Sequence, residues 1–214
     1  MAASESRLVI APYVSDEWAC DLKDSGWDQV PVTNIQHYWS GELAPVDRHA
    51  EAQVCWSDES LNVRFVCTQR EPFVIAQEPI VDKKTLGLWE RDVCEIFVAP
   101  DAENPHRYFE FEAAPTGEWV DLGILITPDG RETDWDYLSG MRVKTRIDGE
   151  SLIILIAIPW TQSIPKPEAG TKWRVNLFRC VGPEEPARYL AWQPTGTPEP
   201  NFHVPGKFGW LYFT

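Results

Sequence analysis

Short runs in which apolar and polar residues alternate recur along most of the chain, and Gly, Pro and Asp residues separate them. A period of two predicts β-strands, and the separating residues supply the dihedral angles that reverse a strand. No segment combines a sustained helical period with capping residues. The pattern therefore predicts an all-β protein, an immunoglobulin-like or jelly-roll β-sandwich of about ten antiparallel strands with very little helix, in a single domain over residues 1–214.

The predicted strands cover most of the chain beyond residue 50. A polar connection at residues 57–60 joins two of them into a hairpin, and Asp148-Gly149 is a typical two-residue hairpin turn. Residues 68–87 show little periodicity and predict a loop over one end of the sheet. Strands are predicted at residues 8–13, 52–56, 61–67, 93–99, 107–113, 118–126, 141–147, 151–158, 172–181, 188–192 and 207–213.

One of these strands carries a charge where an apolar residue is expected. Alternation from residue 92 places Glu95 on the same face as Val93 and Phe97. Removing an ionised carboxylate from water costs several kcal/mol unless it is paired, so this face is either wet or has a partner for the charge. Two interpretations remain open, a functional site on this face or a strand end where Asp92 and Glu95 pair with nearby arginines.

The next strand adds two more carboxylates. Tyr108, Glu110 and Glu112 share one of its faces, which lies beside Glu95 if the two strands are neighbours. Three carboxylates on one surface can accept hydrogen bonds from sugar hydroxyls, bind Ca²⁺ through oxygen, or serve as the acid and base of a glycosidase. The sequence contains no serine-nucleophile, zinc-helix or phosphate-loop motif, so no catalytic residue and no metal ligand is assigned.

Composition narrows the set of partners. The chain has 19 Lys and Arg against 33 Asp and Glu, a net charge of −14, which repels nucleic acid and anionic membrane surfaces. No apolar run approaches the roughly 20 residues of a membrane span. The chain also has 11 Trp, and exposed aromatic rings stack well on the C–H faces of sugars. These features favour a soluble protein with a carbohydrate partner.

The five cysteines form no CxxC pair, and their odd number leaves at least one thiol free. Most are expected to be buried strand residues. The chain opens without a basic segment followed by a long apolar one, so no secretory signal is recognised. These features favour the cytoplasm, or a secreted or periplasmic location if a signal segment has been removed.

Several segments resemble the family 9 carbohydrate-binding modules, part of a wider group of β-sandwiches related to DOMON domains. Their order and spacing carry the resemblance more than any single segment, and they cover most of the chain from about residue 50. The segments are WERDVCEIFVAP at 89–100, YFEFE at 108–112 followed by PTG at 115–117, IAIPW at 156–160, WRVNLFR at 173–179, WQP at 192–194 and NFHVPGKFG at 201–209.

The resemblance implies a non-catalytic jelly-roll-like sandwich that holds a sugar between two Trp rings, with charged residues reading the hydroxyls. Trp89 and Trp192 match the two rings, and Glu95 matches the carboxylate six residues after the first. The Arg of these modules has no evident counterpart on the neighbouring strand, where Glu110 and Glu112 lie. No cofactor is required, although structural calcium is possible. The candidate ligand-binding residues are Trp89, Arg91, Glu95, Glu110, Glu112, Tyr189 and Trp192.

Overall fold

The computed structural model describes residues 7–15, 19 and 21–214, so Cys20 lies outside the described residues. Strands account for 44% of it and helix for 7%. The strands are β1 (Leu8–Ala11), β2 (Val32–Ile35), β3 (His37–Tyr38), β4 (Ala50–Trp56), β5 (Ser60–Thr68), β6 (Val93–Ala99), β7 (Arg107–Ala113), β8 (Trp119–Thr127), β9 (Gly130–Asp134), β10 (Arg142–Asp148), β11 (Ser151–Pro159), β12 (Lys172–Cys180), β13 (Tyr189–Ala191) and β14 (Gly209–Phe213).

Helix is confined to short pieces in the described part of the chain. The 3₁₀ turns span Ser25–Gln29, Val46–Arg48, Leu88–Glu90 and Pro205–Lys207. Among the described residues there is no helix with the length and apolar character needed to cross a membrane.

The strands form two sheets. The larger sheet has the order β1-β14-β12-β6-β7-β8-β9, with β13 added to β12 and β3 to β13, and the smaller has the order β10-β11-β5-β4-β2. All pairings between these strands are antiparallel except that of β1 with β14. The predicted all-β sandwich is confirmed, although the described residues form more strands than the roughly ten expected.

The main core lies between the sheets and follows from the alternation of each strand. From β6, for example, Cys94, Ile96 and Val98 point into this core, where they meet apolar residues such as Phe65 of β5 and Ile154 of β11. Burial of such side chains stabilises each by about 1.5–3 kcal/mol relative to exposure. The alternation therefore fixes which residues of the larger sheet must point away from the core.

A second apolar cluster covers the outer face of the larger sheet. Phe97, Tyr108 and Phe178 project from its strands and pack with Phe202 and Phe208 of the segment that precedes β14. Phe97 stacks on Tyr108 with ring centroids 5.6 Å apart, and Phe178 stacks on Phe202 at 4.0 Å. The segment before β14 consequently covers part of the face that carries Glu95, so this face is not fully open to water.

Candidate functional site

A cavity of about 270 Å³ opens on this outer face of the larger sheet. Its floor consists of side chains from β6, β7, β8 and β12, and its walls come from the turn before β6, from β9 and the residues after it, and from the segment before β14. The lining residues include Trp89, Glu95, Phe97, Glu110, Glu112, Leu122, Ile124, Arg131, Thr133, Trp135, Cys180, Tyr189, Asn201, Phe202 and His203.

Three glutamates occupy the floor of the cavity. The β6–β7 register pairs Glu95 with Glu112 and Phe97 with Glu110, which confirms that the three carboxylates share one surface. One carboxylate oxygen from each lies within 4.8 Å of those of the other two. Glu95 is 1% exposed, Glu110 3% and Glu112 0%. Buried glutamates so close together are costly unless a proton or a bound group intervenes.

The electrostatics of the three carboxyl groups follow from that burial. Burial raises the pKa of Glu95, Glu110 and Glu112, and repulsion by the neighbouring carboxylates raises it further for Glu95 and Glu112. The Cys180 thiol donates a hydrogen bond to Glu95 Oε1 at 3.4 Å. Glu110 Oε2 and both oxygens of Glu112 have no hydrogen-bond partner among the residues that the structure describes.

A histidine and an arginine complete the polar lining. The Tyr108 hydroxyl lies 2.7 Å from His203 Nδ1, which in turn lies 3.9 Å from Glu110 Oε2. Burial, and secondarily the charge of Arg131, lowers the pKa of His203 to about 3, so the imidazole is neutral. A neutral ring has one donor and one acceptor nitrogen, which suits hydroxyl groups.

Aromatic rings form the walls in two contacting pairs. Trp89 and Trp135 have ring centroids 6.4 Å apart with planes inclined at 38°. Tyr189 meets Phe202 edge to face at 5.9 Å. A ligand ring sandwiched between two indoles needs two contacts of about 3.5–4 Å in addition to its own thickness. Trp89 and Trp135 are therefore one wall rather than the two sides of a slot.

A family model described as "Carbohydrate family 9 binding domain-like" matches residues 21–213 of the chain. The chain belongs to this family. The solved structure of a candidate carbohydrate-binding protein of Bacteroides uniformis has a TM-score of 0.72 and 17% identity, with 97% of this chain and 99% of that chain covered.

Two further structures of a family 9 carbohydrate-binding module, from Caldicellulosiruptor kristjanssonii, contain glucose and cellotriose. Each has a TM-score of 0.65 and covers 97% of this chain; identity is 16% for the glucose complex and 15% for the cellotriose complex, with 95% and 93% of those chains covered. A protein of Arthroderma benhamiae called "Extracellular protein" is 23% identical over 176 residues, which are 75% of this chain and 77% of its own.

Trp192, expected as the second sugar-stacking ring of this family 9 chain, does not line the cavity. It is 4% exposed and belongs to the core between the sheets, whereas Tyr189 of β13 packs on the outer cluster. Successive strand side chains point to opposite faces, so residues three positions apart, such as these two, face opposite ways. The pairing of Trp89 with Trp192 is corrected: the indole that contacts Trp89 is Trp135.

Arg91 is also absent from the cavity lining. Its guanidinium pairs with Glu118 at 2.8 Å, beside the turn that leads into β8, because Arg91 ends the 3₁₀ turn before β6 rather than continuing the strand. Arg188, which is 5% exposed, fastens the same turn by donating to the carbonyls of Glu90 and Arg91. Trp89, Glu95, Glu110, Glu112 and Tyr189 are thus the predicted site residues that the fold brings together.

Sequence reasoning missed the residues that β9 and the segment before β14 bring to the cavity. Arg131 lies on β9 and lines the cavity. Its guanidinium is the kind of group that had no counterpart on β7, the strand that carries Glu110 and Glu112. The signal for Phe202 and His203 was present, because both lie in the NFHVPGKFG segment that carried the family resemblance. Trp135 had no such signal, since the strand that ends just before it contains no apolar side chain.

The donor set gives limited support to structural calcium. Glu95, Glu110 and Glu112 are the three-residue cluster of potential ligands found within the described residues. Calcium takes six to eight oxygens, yet most of the remaining lining is aromatic or aliphatic, with the Cys180 thiol beside Glu95. The cluster therefore suits a cationic or hydrogen-bonding organic ligand better than a structural Ca²⁺ ion.

Proposed function

We propose that this chain binds a carbohydrate, without catalysis, in the cavity on the outer face of the larger sheet. The observation that carries the proposal is the joining, in one cavity, of a two-indole wall with a floor of buried carboxylates. Aromatic rings complement the apolar C–H faces of a pyranose, and carboxylate oxygens accept hydrogen bonds from its hydroxyls. The two features address the two chemically different aspects of a sugar.

The comparisons support the same ligand class. The solved family 9 modules that share this fold were captured with glucose and with cellotriose. In this chain Trp89 is half-buried beside Trp135, which is 44% exposed, so an indole surface is available at the mouth of the cavity. Neutral His203 adds a donor or an acceptor near Glu110.

A glycan array followed by titration calorimetry on the best ligand tests the proposal. Loss of a stacked ring removes about 1–3 kcal/mol, so Trp89→Ala should weaken binding roughly 5- to 150-fold. Trp210→Ala is the matched control, because Trp210 is 37% exposed on β14 and lies outside the cavity lining. Absence of binding to every glycan, or equal losses in the two variants, would count against the proposal.

A glycoside hydrolase is the second candidate, favoured by the carboxylate spacing. Oxygens within 4.8 Å approach the roughly 5 Å of a retaining pair and fall short of the 6.5–9.5 Å of an inverting pair. A hydrolase, however, flanks the scissile bond with its two carboxyl groups, whereas these three rise from adjacent positions of one sheet surface. Reducing-sugar release from the ligands found on the array decides between binding alone and hydrolysis.

A further inference from the structure

Glu112 is the least satisfied group in the described part of the protein. Its side chain is fully buried, and neither oxygen has a hydrogen-bond partner or an ion pair there. Glu95, by contrast, accepts a hydrogen bond from the Cys180 thiol, and Glu110 lies near His203. Ionised carboxylates only accept hydrogen bonds, so the three glutamates cannot satisfy one another without a shared proton. When the three glutamates are ionised, the cavity floor therefore lacks donors, and specifically positive donors.

An ammonium group supplies what the floor lacks. It carries three N–H donors, one for each of the three carboxylates, and charge-assisted hydrogen bonds are roughly twice as strong as neutral ones. A sugar hydroxyl offers a single donor and no charge. The surrounding rings add to the match, because the faces of Trp and Tyr attract cations within about 6 Å of the ring centroid.

We infer that the cavity selects a sugar unit that carries a free, protonated amine, with its ammonium group held among Glu95, Glu110 and Glu112. This inference rests on the proposed function and narrows it. The pyranose ring lies against the wall formed by Trp89 and Trp135, and the amine points to the floor. An N-acetylated sugar carries no charge at this position and offers a single N–H donor there.

The arginines near the cavity leave this charge match in place. Arg131 is exposed at the wall, and its charge partly offsets the rise in the pKa of Glu110, whereas the pKa of Glu112 is raised by burial and by the two neighbouring glutamates. The two terminal nitrogens of Arg188 donate to backbone carbonyls of the turn before β6, and its charge partly offsets the rise in the pKa of Glu95 alone among the three glutamates. Glu112 is therefore left without a cationic partner among the described residues.

Calorimetric titrations of the full chain with D-glucosamine and D-glucose test the inference, because the two sugars differ only in an ammonium group replacing a hydroxyl. We expect D-glucosamine to bind about 10- to 100-fold more tightly at a pH just below neutral. Glu112→Gln should bring the two affinities together, chiefly by weakening D-glucosamine binding. Glu103→Gln, at an exposed glutamate before β7, is the matched control.

The outcomes separate the inference from the proposed function. Equal affinities, or tighter binding of D-glucose or N-acetyl-D-glucosamine, overturn the amine preference and leave sugar binding in place, whereas no sugar binding at all overturns both. Methylamine binding as tightly as D-glucosamine, or Ca²⁺ binding to the glutamates without a D-glucosamine preference, also overturns the inference. The wild-type comparison needs no variant, and Glu110→Gln serves if Glu112→Gln does not fold.

Discussion

Trp192 and Gly209 constrain each other through direct contact. The indole of Trp192 occupies the space that a side chain at residue 209 would need, since a Cβ built there overlaps the indole ring. Trp192→Ala should therefore leave a large core cavity and lower the free energy of unfolding by about 3–5 kcal/mol, as measured by urea denaturation. Trp210→Ala, on the surface, should change it little. Near-native stability of Trp192→Ala would contradict its place in the core.

Asp92 organises the chain beside the cavity without lining it. It accepts hydrogen bonds from Gln69 Nε2 at 2.6 Å and from the backbone amides of Gly182 at 2.8 Å and Val74 at 3.2 Å. Gln69 cannot readily rotate its amide, because its Oε1 accepts from Arg179 at 2.9 Å.

Asp92→Asn places a donor where only acceptors fit and should cost about 1–3 kcal/mol of stability. The expected readout is a lower melting temperature with sugar affinity nearly unchanged in the folded protein. Loss of sugar binding at an unchanged melting temperature would instead make Asp92 part of the binding site.

Strands β5 and β6 approach each other across the core through two thiols. Cys67 Sγ lies 3.5 Å from Cys94 Sγ, and both residues are buried. Donation by the Cys94 thiol lowers the pKa of Cys67 to about 7, while burial raises the pKa of Cys94. Of the two, Cys67 is therefore the thiol that ionises more readily, and the thiolate is the attacking species in disulfide formation.

Refolding with oxidised glutathione should join the two cysteines, with loss of two hydrogens by mass and a gain of about 3–4 kcal/mol in stability, judged from the loop that the bond closes. Cys94→Ala should abolish the effect and Cys55→Ala should not. An unchanged mass in the wild-type protein after refolding would exclude the crosslink.

Element by element, the sequence predicted strands best where one face is buried. The predicted bounds of β6 and β7 match the structure, because their apolar residues alternate in step with the pleat. β9 was missed since GRETD has no apolar residue and its side chains stay largely exposed. β2 and β3, with four and two residues, are too short for an alternation to define their bounds. Because β9 supplies Arg131 to the cavity, this gap in the fold was also a gap in the site.

The alternation of side chains along β13 separates two of the expected site residues. Tyr189 and Trp192 were both expected at the ligand, although a regular strand sends residues three apart to opposite faces. What parity could not reveal is how separate segments meet, because the contact of Trp89 with Trp135 joins residues from turns that share no pairing. The cavity-wall residues that loops supply can be identified only from the assembled fold. The floor residues, by contrast, can be predicted from the alternation and register of the strands.

At the scale of the whole molecule, the buried glutamates couple stability to pH. The folded pKa of Glu95, Glu110 and Glu112 is raised above the unfolded value of about 4.3, so the folded state holds more protons once the pH exceeds that value. Stability therefore falls as pH rises from the unfolded pKa toward the folded pKa. His203 acts oppositely, because its lowered pKa makes protonation of the unfolded state costly to folding below about pH 6.5.

A variant isolates the glutamate contribution from that of His203. Glu112→Gln removes one ionisable group from the cluster and should raise the melting temperature of the ligand-free protein at neutral pH, with the difference shrinking toward about pH 4. The partners Glu95, Glu110, Cys180 and Tyr108 stay the same in both proteins. Differential scanning calorimetry over this range measures the effect. Glu103→Gln is the control, and its difference in melting temperature from the wild-type protein should not change with pH. A difference independent of pH would show that packing, rather than charge, sets it.

The contact between Trp89 and Trp135 gives the protein an intrinsic spectroscopic signal at the cavity. Two indoles at 6.4 Å with inclined planes are close enough for their electronic transitions to couple, which gives a circular dichroism signal that depends on their mutual geometry. A sugar resting on this wall changes that geometry or its surroundings directly, while the other tryptophans of the chain contribute a constant background. Ligand occupancy can thus be followed without a label, and Trp135→Phe should erase the ligand-dependent part of the signal.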